Sequence, residues 1–199
     1  LLNRLVRSKD ICEAFYLCYT LFMTERVAIF IDGSNFYFKL KELNIGHLLN
    51  LDLGKFAKFI ARNRKIVKKC YFIGKVRQDG TPKSERLFDG QQKLLGRLKN
   101  AGYTYKLGYL LKIDGKYHEK GVDVQIAVDM LEAAYEDLCD RIILISSDTD
   151  LGPAIQKAKA KGKIVEYVGF SHKPSIAMVS FCSESTLLKK EDLEDLVEL

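Results

Sequence analysis

Aspartate residues follow two apolar runs of this 199-residue chain, at points where buried strands are expected to end. Asp32 follows VAIFI (27–31), and Asp148 and Asp150 follow RIILIS (141–146). Each of them taken alone could cap the helix that comes next. Together, carboxylates in one crevice repel each other unless a hard divalent cation such as Mg²⁺ neutralises them. A cation held in that way can activate water and clamp a phosphodiester, so the pattern predicts hydrolytic phosphoryl chemistry.

A further carboxylate belongs to the helix predicted over residues 121–138. At about 100° per residue, Asp123 lies on the same face as Ala127 and Met130, so a carboxylate continues an apolar stripe. Carboxylates rarely enter a core face without a partner, which favours a place for Asp123 in the same site. The alternative is that it only complements the helix dipole. Asp129 points away from this stripe and is expected to be solvated.

The elements that must position these residues alternate along the chain as β-α-β-α-β-α-β-α-β. The predicted strands cover 27–31, 65–76, 103–113, 141–146 and 163–170. Such alternation predicts an α/β domain of three layers, with a mainly parallel central sheet between helices. Ligands of these sheets bind at the carboxyl ends of the strands, near the point where the strand order reverses. With the order 3-2-1-4-5, assumed from fold precedent, the strands that end at Asp32 and Asp148 are neighbours.

Charge and cysteine content restrict the class of protein. The net charge is +6, but residues 184–199 hold two lysines and six acids, so the preceding 183 residues carry +10. A basic body of this kind favours an anionic partner, nucleic acid first. Five cysteines without a CxxC pair favour reduced thiols in a cytoplasmic protein, and three scattered histidines argue against a zinc site.

The chain divides into three predicted parts. Residues 1–22 form an N-terminal extension, whose apolar run is too short to span a bilayer, so no membrane partner is expected. The domain proper covers residues 23–183, beginning near Met23. Residues 184–199 form an acidic C-terminal element.

Basic residues cluster on the helix predicted over 82–102. Within an arc of about 80° it carries Lys83, Arg86, Lys93 and Arg97. A solvated helix face is the plain alternative, and the functional interpretation is a surface that tracks the phosphates of a nucleic acid toward the acids. Tyr103, Tyr105 and Tyr109 share one side of a strand and are expected in the core, although bases can stack on such residues.

Three segments in order resemble the NYN domain, specifically its LabA-like branch, within the PIN-like nuclease superfamily. They are IFIDGSNFY (29–37), KGVDVQIAVDML (120–131) and ILISSDTDLGPAI (143–155), and the match covers roughly residues 26–170. Ser147 and Leu151 stand where the family often has Gly and Phe. The resemblance implies a PIN-like (Rossmannoid) fold and a ribonuclease centre that uses Mg²⁺ or Mn²⁺. By motif position it implies that the catalytic and metal-binding residues are Asp32, Asp123, Asp148 and Asp150.

Other residues of these motifs are expected at the substrate. Asn35, Ser146 and Ser147 would orient the ligands or a phosphate, and Lys120, beside Asp123, would contact a phosphate. The first hypothesis is therefore a metal-dependent ribonuclease, with a homodimer left open. The alternative is a non-catalytic PIN-like module that binds RNA or a protein. A haloacid-dehalogenase-like phosphatase would need an aspartate where Ser34 stands, and DGSN in place of GxGxxG disfavours a dinucleotide-binding domain.

Overall fold

The computed structural model describes residues 24–45, 48–113 and 116–197. Within these ranges seven strands form one sheet in the order β4-β3-β2-β1-β5-β6-β7. The strands are β1 (Arg26–Asp32), β2 (Lys65–Gly74), β3 (Thr104–Ile113), β4 (Lys116–Lys120), β5 (Arg141–Ile145), β6 (Ile164–Phe170) and β7 (Glu184–Leu188).

Helices cover both faces of this sheet. In the described ranges they are α1 (Gly33–Glu42), α2 (Leu53–Ala61), α3 (Pro82–Asn100), α4 (Val122–Tyr135), α5 (Gly152–Ala160), α6 (Ile176–Phe181) and α7 (Glu191–Glu194). Alternate residues of β1 point to opposite faces, so Ile29 packs in one apolar cluster and Phe30 in the other. The cluster around Ile29 includes residues of α1, α2 and α3, and the cluster around Phe30 includes residues of α4, α5 and α6.

The predicted three-layer α/β fold is confirmed. The strands predicted as 3-2-1-4-5 are β3, β2, β1, β5 and β6, and every neighbouring pair among them is parallel. The sequence pattern predicted no strand in the two segments at the edges, where β4 pairs antiparallel with β3 and β7 pairs parallel with β6. The segment ESTLL of β7 is mostly exposed, so it lacks the apolar run that revealed the central strands.

The predicted acidic element at 184–199 supplies β7 and then contributes to the core. Leu193 and Leu196 are buried in the same cluster as Ile29, and Val197 forms an isolated bridge with Leu51. Residues 1–22 lie outside the described residues, so the domain boundaries stay a prediction. None of the helices that the structure describes is long and apolar enough to cross a membrane.

Candidate active site

The carboxyl ends of β1 and β5 bring two of the predicted acids together. Ile31 of β1 pairs with Ile145 of β5, so the next residues, Asp32 and Ser146, lie side by side. The Ser146 hydroxyl donates to Asp32 Oδ2 at 2.9 Å, and Ser146 Oγ in turn accepts the backbone N–H of Asp148 at 3.1 Å. Asp32 is only 5% exposed and Ser146 only 1%. The serine therefore ties the Asp32 carboxylate to the backbone of Asp148.

Both aspartates also cap the turn that follows them. Asp32 Oδ1 accepts the N–H of Asn35 at 3.0 Å, at the start of α1. Asp148 Oδ1 accepts the N–H of Asp150 at 2.9 Å, at the start of a short 3-10 turn. Asp150, one of the candidate caps of the next helix, does not cap it: Asp148 caps the 3-10 turn, with the extended backbone of a cap residue, and α5 has no side-chain cap. Capping does not exclude cation binding, since a carboxylate offers about four acceptor positions.

Glycine is required directly after Asp32. A Cβ at Gly33 would overlap the ring of Tyr71 and lie 2.7 Å from the carbonyl oxygen of Phe72, both on the neighbouring strand β2. The chain can thus turn from β1 into α1 while it touches β2. This close approach holds Asp32 at the end of its strand.

The other two predicted acids lie on helix α4 and in the turn after β5. Asp123 lies half-buried in the first turn of α4, after Gly121, which adopts a left-handed φ of 84°. Helix α4 packs against β1 and against the 3-10 turn at Thr149–Leu151. Asp150 is exposed in that turn.

The donor atoms at this edge suit a hard divalent cation, since they are carboxylate and hydroxyl oxygens. Within the part of the chain that the structure describes, no three His, Cys, Asp or Glu side chains form a group that could hold a metal ion. Mg²⁺ commonly binds through one or two carboxylates and completes its shell with water and substrate phosphate. The chemistry of the Asp32 and Asp148 carboxylates suits a cation held in that way. Whether Asp123 and Asp150 join the ligands stays a prediction.

Asp129 was expected to be solvated, and this expectation is wrong. Its side chain is 1% exposed on the sheet face of α4. Lys106 of β3 donates to it at 2.6 Å and Gln125 at 2.9 Å, while the Cys70 Sγ lies 4.0 Å away. Burial alone would lower the pKa of Lys106, but the hydrogen bond and charge of Asp129 outweigh it and raise that pKa. Burial raises the pKa of the Cys70 thiol. The cluster ties α4 to the sheet.

Replacing Asp129 by asparagine should destabilise the fold by about 1–3 kcal/mol, because it leaves the Lys106 ammonium without its carboxylate in a half-buried position. Urea unfolding followed by circular dichroism measures the change. Glu132→Gln is the control, since Glu132 is exposed on the same helix and pairs with Lys68 of β2 at 3.3 Å, a lysine that also lies 4.0 Å from Asp129. That variant should change the unfolding free energy by less than about 1 kcal/mol. Equal effects of the two substitutions would contradict the structural role of Asp129.

The basic residues of α3 do not all point the same way. Lys83, Arg86 and Lys93 are exposed. Arg97 is half-buried, and its guanidinium donates to the carbonyl oxygen of Leu51 at 3.2 Å. With a rise of about 1.5 Å per residue, Arg97 lies about 21 Å along the helix from Lys83. The single basic surface expected from the helical projection is therefore reduced to its exposed members.

Two other predicted substrate contacts lie at the same edge of the sheet. Lys120 is exposed at the end of β4, opposite Tyr109 of β3 and three residues before Asp123. The Ser147 hydroxyl lies 3.3 Å from the phenol oxygen of Tyr167. Ser147 thus contacts β6.

The tyrosines predicted for the core divide in two. Tyr103 is buried at 4% exposure, and its hydroxyl donates to the carbonyl oxygen of Leu53. Tyr105 and Tyr109 are 40% and 55% exposed, so the expectation is wrong for these two. Strand β2 pairs with β3 as far as Gly74, which lies opposite Gly108, and β3 continues beyond that point. Tyr109 therefore lies beyond the parallel part of the sheet.

A cleft of about 450 Å³ opens beside Asp32, and no pattern in the sequence predicted it. Gly33 and Ser34 line it from α1, and Ile73 and Gly74 line it from the end of β2. The remaining lining residues come from α1, α3 and the segments next to them: Tyr37, Phe38, Leu49, Val76, Arg86, Leu87, Gly90, Gln91 and Leu94. Phe38 and Leu87 are strongly exposed for apolar residues, which is a signal of a ligand site. Because they lie on separate helices, the sequence alone does not bring them together.

Comparisons with known proteins agree with this fold. The uncharacterised protein MJ0482 of Methanocaldococcus jannaschii is 29% identical over 144 residues, which cover 72% of this chain and 47% of that protein. The chain thus spans about half the length of this relative. The crystal structure of VPA0982, a protein of unknown function from Vibrio parahaemolyticus, matches with a TM-score of 0.64 at 21% identity. That match covers 85% of this chain and 96% of the other, and it concerns the fold alone.

A weaker likeness is to T5 5′-exonuclease with bound zinc ions, with a TM-score of 0.37 and 16% identity over 65% of this chain and 52% of the other. A score that low says nothing about the chemistry of this chain. The family comparison is decisive, because the sequence pattern that defines the NYN domain matches residues 26–189. The matched residues include the strands from β1 to β7 and both candidate aspartates, Asp32 and Asp148. The chain belongs to the NYN domain family.

Proposed function

We propose that this NYN domain is a metal-dependent ribonuclease that hydrolyses phosphodiester bonds of single-stranded RNA. The observation that supports this most directly is the linkage of Asp32 and Asp148 through the Ser146 hydroxyl at the carboxyl edge of the sheet. That edge is where α/β sheets bind their ligands. We further propose that the chain belongs to the LabA-like branch, on the order and spacing of its three motifs.

Asp32 and Asp148 are the residues proposed to hold Mg²⁺ or Mn²⁺, with Asp123 and Asp150 nearby. Such a cation, when bound, lowers the pKa of water and neutralises charge on the phosphate. The chain's own contribution is to keep the carboxylates in place. Ser146 orients Asp32 through its proton, and the caps at the starts of α1 and the 3-10 turn fix one oxygen of each acid. Fixed ligands need no reorganisation when the substrate arrives.

The RNA backbone would be attracted by exposed cations around this edge. Lys120 precedes α4, and Lys83, Arg86 and Lys93 lie along α3. Contacts of this type bind phosphates without regard to sequence and weaken as salt rises. Arg97 is assigned a structural part instead, because it donates to the backbone of Leu51. Asn35 and Ser147 remain in the proposal as neighbours of the acids.

The test is hydrolysis of an end-labelled, unstructured RNA by the purified chain. Cleavage should require Mg²⁺ or Mn²⁺, stop with EDTA, return with excess Mn²⁺, and fall by a factor of about 100 or more in Asp148→Asn. Asp195→Asn makes the same chemical change at an exposed position after α7 and should leave the rate unchanged. Circular dichroism checks that both variants are folded. Metal-independent cleavage that survives Asp148→Asn would refute the proposal.

A binding module without turnover is the second candidate. It is favoured by one observation, that no three acidic side chains among the described residues form a metal-binding group. RNA binding at submicromolar to micromolar affinity, with no hydrolysis across several divalent cations and RNA sequences, would establish it in place of the ribonuclease. The same labelled RNAs, measured by anisotropy and by gel, distinguish the two functions.

A further inference from the structure

We propose that the cleft beside Asp32 holds one unstacked nucleobase of a single-stranded RNA. The inference rests on the proposed function, since it concerns how the substrate is held at the same edge of the sheet. The cleft lies between α1, α3 and the ends of β1 and β2. Its volume of about 450 Å³ lies within the usual range of small-ligand sites, roughly 300–1,000 Å³.

The location of the cleft favours a nucleotide. Gly33 and Ser34, which line it, directly follow Asp32 in the chain. Under this proposal, a base in the cleft has its ribose and phosphate directed toward the edge of the sheet that carries Asp32. An apolar pocket far from the acids would give no such connection between binding and hydrolysis.

The walls suit the flat apolar face of a base. Tyr37 and Phe38 are adjacent aromatic residues, with ring centroids 5.4 Å apart and rings at 66°. Phe38 is 59% exposed and Leu87 54% exposed, although both line the cleft. Exposed large apolar residues that share a concave surface indicate a site for a ligand. Bases stack on aromatic side chains irrespective of their identity, because every base has a π-face.

Charge at the rim favours an anionic chain. Arg86 lines the cleft, and Lys83 lies exposed three residues before it on α3. None of the described residues that line this cleft is acidic. A cationic ligand is therefore disfavoured, and a base attached to a phosphate is complementary to both the walls and the rim.

The polar side chain of Gln91 is already engaged. Its Oε1 accepts the N–H of Val76 at 2.9 Å, and its Nε2 donates to the carbonyl oxygen of Gly74 at 2.8 Å. Gln91 thus shapes the end of β2 and has little capacity left to recognise the edge of a base. We infer that the cleft accepts a base by stacking and shows little sequence preference.

The experiment compares two strands of equal length and charge. Fluorescence anisotropy in EDTA, which prevents metal-dependent cleavage, measures binding of a labelled oligouridylate and of the same strand with abasic riboses at its internal positions. The full chain should bind the base-bearing strand roughly 5- to 150-fold more tightly, the range that one stacked base contributes. Phe38→Ala should remove most of this difference, and Arg86→Gln should weaken both strands alike.

Phe59→Ala is the matched control, because Phe59 is 42% exposed on α2 and does not line the cleft. It should leave both affinities unchanged. Leu87→Ala gives a second, independent test at the opposite wall. Equal affinity of the unmodified chain for the two strands would overturn the inference, as would cleft variants that keep the full preference. Binding of an apolar peptide in the cleft, without competition from either strand, would also overturn it.

The outcome separates this inference from the proposed ribonuclease. If the chain hydrolyses RNA and Phe38→Ala alters neither binding nor rate, the cleft has another occupant and the ribonuclease stands. If base-dependent binding is lost in Phe38→Ala but no variant or cation gives hydrolysis, the base site stands and the ribonuclease fails.

Discussion

Replacing Asp32 by asparagine is expected to slow RNA hydrolysis by about three orders of magnitude. Cation charge stabilisation contributes several kcal/mol to such reactions, and each 1.4 kcal/mol or so is tenfold in rate. The substitution keeps the shape of the side chain and an oxygen that can accept the Asn35 N–H. It removes the negative charge at the strand end, where the structure places Asp32 beside Ser146. Single-turnover cleavage in Mn²⁺ measures the effect.

Asp52→Asn is a closely matched control for this change. Asp52 caps α2 in the same manner as Asp32 caps α1, since its Oδ1 accepts the N–H of Lys55 at 2.9 Å. Asparagine is a good cap residue, so both variants should keep their helices. Only the Asp32 variant should lose activity. Equal rates for the two variants would show that the Asp32 charge has no part in hydrolysis.

Loss of Glu166 is expected to cause the largest change in stability. Glu166 of β6 is 1% exposed, and its Oε2 accepts from Arg141 at 3.0 Å and from Arg64 at 3.2 Å. Its other oxygen accepts the Thr186 hydroxyl at 2.7 Å. Arg141, itself 5% exposed, also pairs with acids from two further segments, Glu25 and Glu184. The network lies near the amino ends of the strands, away from the candidate active site.

Glu166→Gln removes the charge shared by two arginines and keeps the shape of the side chain. We expect a loss of about 3 kcal/mol, at the lower end for a broken buried ion pair because Arg141 retains two other carboxylates. A domain of this kind is stable by only about 5–15 kcal/mol, so the midpoint of urea unfolding should fall clearly. The control Glu194→Gln breaks an exposed pair with Lys190 and should cost less than about 0.5 kcal/mol. A loss below 1 kcal/mol in Glu166→Gln would contradict this assignment.

Acid should weaken the same network. The hydrogen bond from Arg141 holds the pKa of Glu184 below its ordinary value of 4.5. A carboxyl group whose pKa is lower in the folded state stabilises the fold above its unfolded pKa. This contribution is lost as the pH falls through the lowered folded value. Unfolding curves of Glu184→Gln should therefore depend less on pH below about 4.5 than those of the unmodified chain.

The central part of the fold follows from the sequence for a physical reason. The segments VAIFI and RIILI are buried on both faces, so their apolar runs are continuous, and helices must cross between parallel strands. The edge strands β4 and β7 were missed because each has only one neighbour in the sheet and little apolar sequence. Their pairing depends on backbone hydrogen bonds, which any residue but proline can form.

The candidate site could be predicted as far as local sequence carries the information. Asp32 ends β1 and Asp148 follows shortly after the end of its neighbour β5, so their proximity follows once the strand order is known. Asp129 was wrongly expected in solvent because its partner Lys106 lies on β3, and the sequence of helix α4 alone does not show which strand packs against it. The cleft was missed for the same reason, since Phe38 and Leu87 meet only when α1 and α3 pack together.

The serine between the two aspartates has a single proton, and it is donated to Asp32 while the oxygen accepts the Asp148 amide. Hydrogen bonds in such a chain polarise one another, so any change in charge at the Asp32 carboxylate alters the environment of that amide. The amide resonance of Asp148 is therefore a built-in spectroscopic reporter for Asp32. In a titration with cations or oligonucleotides, this one amide signal would record events at the Asp32 carboxylate, which carries no proton of its own to follow when it is ionised.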